Sequence, residues 1–257
     1  MIGSTLSGPY VFAGVFLIFT ILGIKEFYDM VGSDKTGPSR SWGLISGAAL
    51  YILFAYASID HEMSMYKLIS LMIPIFLFSL IIELYRKGAQ PVVNVALNTI
   101  GMTYIALPFA LLNFMHNGPL GLAGAEITLG FFVLVWTNDT GAFIVGSLIG
   151  KHKLAPNISP NKTIEGLMGS IVLTMAMAYV IATYVISDDL MLWLITGAIV
   201  VSFGTLGDLV ESMIKRSYGV KDAGTIMPGH GGILDRFDGV LLACPAVLSL
   251  FYWLEGS

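Results

Sequence analysis

Eight times along this chain a long apolar stretch passes with almost no Asp, Glu, Lys or Arg. A helix rises 1.5 Å per residue and a bilayer's hydrocarbon core is about 30 Å thick, so roughly 20 such residues cross it. The stretches are 1–24, 41–59, 68–82, the first part of 88–125, 120–136 (interrupted by Glu126), 166–187, 190–207 and 239–254. The run 88–125 is too long for one crossing, and His116-Asn117-Gly118-Pro119 is a turn signal that divides it. Charged residues are only 12% of the 257 and hydrophobic ones 56%. A soluble domain carries about 25% charged residues, so this chain has too few to cover a surface in water. A cytosolic enzyme, a disordered regulator and a DNA-binding module are excluded. The net charge of −4 also speaks against nucleic acid as a partner.

The expected fold is therefore an all-α polytopic membrane protein with about eight transmembrane helices. The apolar piece 140–150 is too short to cross alone and reads as a half-helix or re-entrant segment. Residues 1–135 form an N-terminal set of spans and 136–257 the catalytic part of one continuous membrane domain. The single cysteine, Cys244, lies in an apolar stretch and reads as a buried hydrophobe. With no basic segment before it, the first span does not read as a cleavable signal peptide.

Eight spans place both termini on one side. Of the 13 Lys and Arg residues, all but Lys67 then fall on the opposite side. The positive-inside rule makes that basic side cytoplasmic and turns both termini outward.

Intramembrane polar residues are costly and tend to face a cavity with a function. Most acidic residues here lie in loops beside basic ones and read as solvated. Two regions differ. From Trp136 to Gly169, Asp139 ends a span beside Asn138 and Thr140, and Gly141, Gly146 and Gly150 permit close backbone approach. Ser159-Pro160-Asn161-Lys162-Thr163 then precedes a span, with Glu165 after it. Hydroxyls at a helix start with free N–H groups make an anion site, and Lys162 adds a point charge. The plainer alternative is that Thr163 caps a helix and Lys162 snorkels to lipid headgroups.

From Gly207 to Gly239 the pattern is denser. Asp208 and Glu211 share one helical face, with Ser212, Lys215 and Arg216 following. Lys221-Asp222 lies in a glycine-containing loop, 228–232 is a tight turn around His230, and Asp235, Arg236 and Asp238 open the next helix. Mg²⁺ is held by one or two carboxylates together with substrate phosphates. Asp208, Asp235 and Asp238 are candidates for those ligands, and Lys215, Arg216, Lys221 and Arg236 for neutralising a polyphosphate. These are parts for phosphoryl-type transfer, in which the protein positions groups and stabilises charge.

Ser212-x-x-Lys215-Arg216, Lys221-Asp222-x-Gly224 and His230-Gly231-Gly232-x-x-Asp235-Arg236-x-Asp238 closely resemble the signature of the phosphatidate cytidylyltransferases. The 159–166 segment and the Asp139 region look like that family too, and the N-terminal half resembles it mainly in hydropathy. The resemblance implies the reaction CTP + phosphatidate → CDP-diacylglycerol + pyrophosphate in a bacterial-type inner membrane, with the site loops cytoplasmic. It implies Mg²⁺ on Asp208, Asp235 and Asp238, and admits a second, monovalent cation such as K⁺. Lys215, Arg216, Lys221, Asp222, His230 and Arg236 join the catalytic set by this carry-over. Asp139, Ser159, Lys162, Thr163 and Ser212 are substrate-binding candidates. Family members often form a homodimer. They usually begin with a basic segment and one more span, so a missing or truncated first span is expected here.

Two other readings are weighed. A CTP-dependent polyprenol or phytol kinase would release CDP, and the segment from His230 to Asp238 argues against it. A cation-coupled transporter would use the carboxylates as a relay, but the charges cluster at one face and paired broken helices are missing from the two halves.

Overall fold

A computed structural model describes residues 2–32, 37–60, 63, 65–118, 124–186, 189–224 and 231–255. His230 lies outside the described residues. The chain forms two compact units: 1–117 with 222–236, and 118–221 with 237–257.

The first unit is helical throughout. Its elements are α1 (Ile2–Leu6), α2 (Pro9–Val31), α3 (Arg40–Ile59), α4 (Met65–Arg86), α5 (Pro91–Ile100), a π-helical turn at Gly101–Ala106, and α6 (Leu107–His116). Proline starts α2 and α5, where its missing N–H costs nothing. Pro108 follows the π-helical turn, as expected where a residue without an N–H meets an α-helical ladder. The core between α2, α3 and α6 is aromatic: Phe12, Phe16 and Phe109 are fully buried, with Phe16 and Phe109 ring centroids 5.9 Å apart.

The second unit holds α7 (Gly124–Ile149), β1 (Lys153–Ala155), β2 (Ser159–Thr163), α8 (Ile164–Val180), a π-helical turn at Ile181–Val185, α9 (Leu190–Ser217) and most of α10 (Leu234–Glu255). Among the described residues eight helices are long and apolar enough to cross a bilayer, and the protein is a multi-pass membrane protein. The expected half-helix at 140–150 is corrected. Residues to Ile149 are the last turns of an uninterrupted 26-residue α7. Asp139 lies within that helix and does not break it, because a carboxylate facing a polar pocket needs no end to the ladder.

The two strands form an antiparallel hairpin, with Lys153 opposite Thr163 and Ala155 opposite Ser159. Glu165, in the first turn of α8, fastens its base. Its carboxylate accepts from the N–H groups of Lys151 (3.0 Å) and His152 (3.1 Å) and lies 2.6 Å from His152 Nδ1. Thr163 ends β2 and caps α8, its Oγ1 accepting from Gly166 N at 3.1 Å.

Candidate active site

In the second unit, α7, the hairpin, α8 and α9 enclose a pocket of about 470 Å³. Asn138 and Asp139 reach it from α7, Ser159, Lys162 and Thr163 from β2, and Thr205 and Asp208 from α9. Asp139 is ten residues before the end of α7, which puts it about 15 Å along the helix from that end.

Lys162 Nζ sits 2.6 Å from Asp208 Oδ2, with both side chains partly shielded. Asp208 also accepts from Ser212 Oγ at 3.2 Å, one helical turn on. Lys215 and Glu211 form a 2.7 Å pair at the same i, i+4 spacing, and both are buried. Asp238 accepts from its neighbour Gly239 N at 2.6 Å, and Asp208, Glu211 and Asp139 all act on it electrostatically. Gly207 lets α9 approach this part of α10: a Cβ there would run into the Asp238 carbonyl.

Asp139, Asp208, Glu211 and Asp238 thus outnumber Lys162 and Lys215 in this unit, an excess of acidic groups that favours a cation. Asn138 Oδ1 adds a buried acceptor with no hydrogen-bond partner. Among the described residues no three His, Cys, Asp or Glu side chains converge into a ready cage. Mg²⁺ does not require one, since substrate phosphates complete its octahedron. The donor set fits Mg²⁺ on that basis.

The substrate-binding candidates Asp139, Ser159, Lys162 and Thr163 line this pocket, and Ser212 bonds to its Asp208. Arg216 Nη1 donates to Val220 O at 3.1 Å, closing the C-terminal end of α9. Lys221 is exposed at the end of this unit's 118–221 stretch.

Asp222, Asp235 and Arg236 belong to the first unit. Asp235 does not present a bare carboxylate there. It accepts from Gly232 N at 2.8 Å and from Ala223 N at 3.0 Å, drawing both ends of the 222–232 segment to the start of α10. Gly231 makes this possible with φ +78°, a left-handed conformation in which a side chain would also meet Asp235.

The sequence reading missed Glu26. Reading the remaining acidic residues as solvated is corrected for it and for Glu83, both buried in the first unit. Glu26 accepts from Ile233 N (3.0 Å) and Leu234 N (3.1 Å), capping α10 from 207 and 208 residues away. Its signal in the sequence was an acidic residue near the C-terminal end of its own apolar helix, where the macrodipole disfavours it. Glu83 accepts from Asn94 Nδ2 at 2.5 Å and pairs with Arg86 at 3.2 Å, joining α4 to α5.

The eight apolar helices and the pocket of carboxylates and lysines give a multi-pass membrane protein with a charged site. The chain belongs to the cytidylyltransferase family, which it matches over residues 1–254. It is 40% identical to a phosphatidate cytidylyltransferase of Staphylococcus haemolyticus, over 79% of this chain and 90% of that one. Similar proteins of that name in Staphylococcus epidermidis and Staphylococcus aureus are each 38% identical. They cover 79% and 72% of this chain, and 76% and 80% of their own lengths.

Proposed function

We propose that this chain transfers the cytidylyl group of CTP to phosphatidate, giving CDP-diacylglycerol and pyrophosphate for phospholipid synthesis. The single observation that carries the reading beyond family membership is the charged pocket of the second unit, built into helices otherwise apolar enough to lie in a bilayer. A phosphatidate oxygen bonds to the α-phosphorus of CTP. The bond from that phosphorus to the bridging oxygen breaks, and pyrophosphate leaves with its electron pair. The attacking phosphate monoester has a second pKa of about 6 and is already ionised near pH 7, so no side chain has to remove a proton.

Lys162 holds a substrate phosphate, aided by the hydroxyls of Ser159 and Thr163. Asp208 and Asp238 hold the cation, with Asp139 beside them, and Ser212 fixes the Asp208 rotamer. Mg²⁺ supplies charge neutralisation on the phosphates when bound. Lys215 keeps Glu211 paired and adds positive charge behind Asp208. Lys221, Arg216 and Arg236 are the remaining cations for the polyphosphate, and Asp235 anchors the backbone at Ala223 and Gly232. Basic residues crowd the loops on one side of the spans, which supports a plasma-membrane protein with these loops in the cytoplasm, where CTP is.

The test uses protein purified in detergent with labelled CTP, phosphatidate and Mg²⁺. Chloroform-extractable cytidine should appear only with phosphatidate, in step with pyrophosphate, and fall at least about a hundredfold in Asp208→Asn. Release of CDP with a phosphorylated alcohol would replace this reading with the lipid-kinase one. Folded protein that turns over no CTP would end both.

A further inference from the structure

The pocket described above has a chemically mixed lining. Asn138, Asp139, Lys162, Thr205 and Asp208 give it polar groups. Phe143 of α7, Leu154 of β1 and Leu167 of α8 give it apolar ones. Phe143 is one turn beyond Asp139, at i, i+4, so the two side chains neighbour each other on one face of α7. Phe143 is 74% exposed, and Leu148 and Ile149 in the same last turns are 76% and 60% exposed. Exposed apolar residues on a spanning helix suit contact with hydrocarbon, so the apolar part of the lining adjoins an exposed apolar stretch of α7.

Neither substrate has been placed by the chemistry so far, and the two differ where this pocket does. CTP is polar along its whole length, and its base needs partners for its edge. Phosphatidate is a phosphate monoester joined through glycerol to two hydrocarbon chains. Within a few ångströms it passes from dianion to methylene. We propose that this pocket is the phosphatidate subsite, with Lys162 on the phosphate and Phe143, Leu154 and Leu167 against the glycerol and the first methylenes of the acyl chains.

This rests on the cytidylyl-transfer reading and assigns one of its two substrates. The volume suits it. About 470 Å³ is within the usual range for a ligand site, enough for a glycerophosphate and the chain beginnings, while the rest of each chain stays in the bilayer. A second groove on α7 and α8, lined by Trp136, Leu173 and Met177 among others, carries no ionisable side chain and so offers a phosphate no counter-charge.

The experiment measures KM for both substrates with dioctanoyl phosphatidate in detergent. Phe143→Ser and Leu154→Ser should each raise KM for phosphatidate about tenfold, the cost of one apolar side chain losing its contact. KM for CTP should stay within about twofold, and Phe143→Leu, which keeps an apolar side chain, should raise KM for phosphatidate less than Phe143→Ser does. A rise in KM for CTP with phosphatidate unmoved assigns the pocket to the nucleotide and overturns the proposal. No change in either KM overturns it as well. If the unaltered protein makes no lipid-linked cytidine, the parent reading has failed, a result distinct from any KM pattern.

Should the serine variants fail to accumulate, Asn161→Cys on the exposed strand of the pocket gives a binding readout. The native Cys244 is fully buried and silent. Phosphatidate alone should slow maleimide labelling of the new thiol while CTP alone does not. Any other pattern refutes the assignment.

Discussion

Replacing Glu26 by alanine removes both acceptors from the first turn of α10. The bonds lost are 3.0 and 3.1 Å long and charge-assisted, and such bonds contribute about 1.5–3 kcal/mol each. A carboxylate at a helix N-terminus adds up to about 2 kcal/mol in a buried setting. Against this stands the cost of burying the carboxylate, which alanine does not incur. The expected net loss is about 3 kcal/mol. At about 2–4 °C per kcal/mol for a chain of this size, Tm should fall by about 6–12 °C. Glu26→Gln keeps one acceptor oxygen and should lose about half as much. Gly224 and Gly232 both lie against the Glu26 carboxylate, where a Cβ on either would come within 2.5 Å of an oxygen. The segment should therefore loosen locally as well. Thermal unfolding in detergent, followed by tryptophan emission, gives Tm, and limited proteolysis at 222–233 reports the local effect. An alanine variant within about 2 °C of the parent, or a glutamine variant as damaged as alanine, would refute the capping argument.

Three further outcomes are expected. Thr163→Ala removes the N-cap of α8 and should cost about 1 kcal/mol, seen as a Tm drop of about 2–4 °C, while Thr163→Ser should be nearly neutral. Gly207→Ala sets a methyl group against the Asp238 carbonyl; Tm should fall and lipid-linked cytidine formation should drop more than tenfold, since α9 and α10 carry Asp208 and Asp238. Chelation by excess EDTA should stop turnover reversibly, and Asp208→Asn should raise the Mg²⁺ concentration for half-maximal rate, measured by titrating Mg²⁺ back.

Hydropathy made the eight spans legible because each must satisfy its backbone internally over the same bilayer thickness. It misjudged 140–150, since Asp139 interrupted the apolar window although it left the helix intact. The hairpin was hidden because its strands are short and mostly polar, with no alternation to read. Within the site, Asp208, Glu211 and Lys215 were visible from spacing alone. The pair from Lys162 to Asp208 was not, because it joins β2 to α9 across 46 positions of sequence. The bonds from Ala223 N and Gly232 N to Asp235 were not legible either, because a motif gives the carboxylate and not the backbone amides that the fold brings to it.

The Glu26 cap also has a consequence in time. Its partners, Ile233 and Leu234, are made more than 200 residues later. At synthesis rates of about 5–20 residues per second, Glu26 waits about 10–40 s after it is made before the amides that it caps exist. During that interval α2 has already left the ribosome with a carboxylate that its own unit cannot yet satisfy. The first unit is thus among the last parts of the chain to be completed. A nascent chain arrested before residue 233 should leave its N-terminal helices open to quality-control proteases, however well each of them inserts on its own.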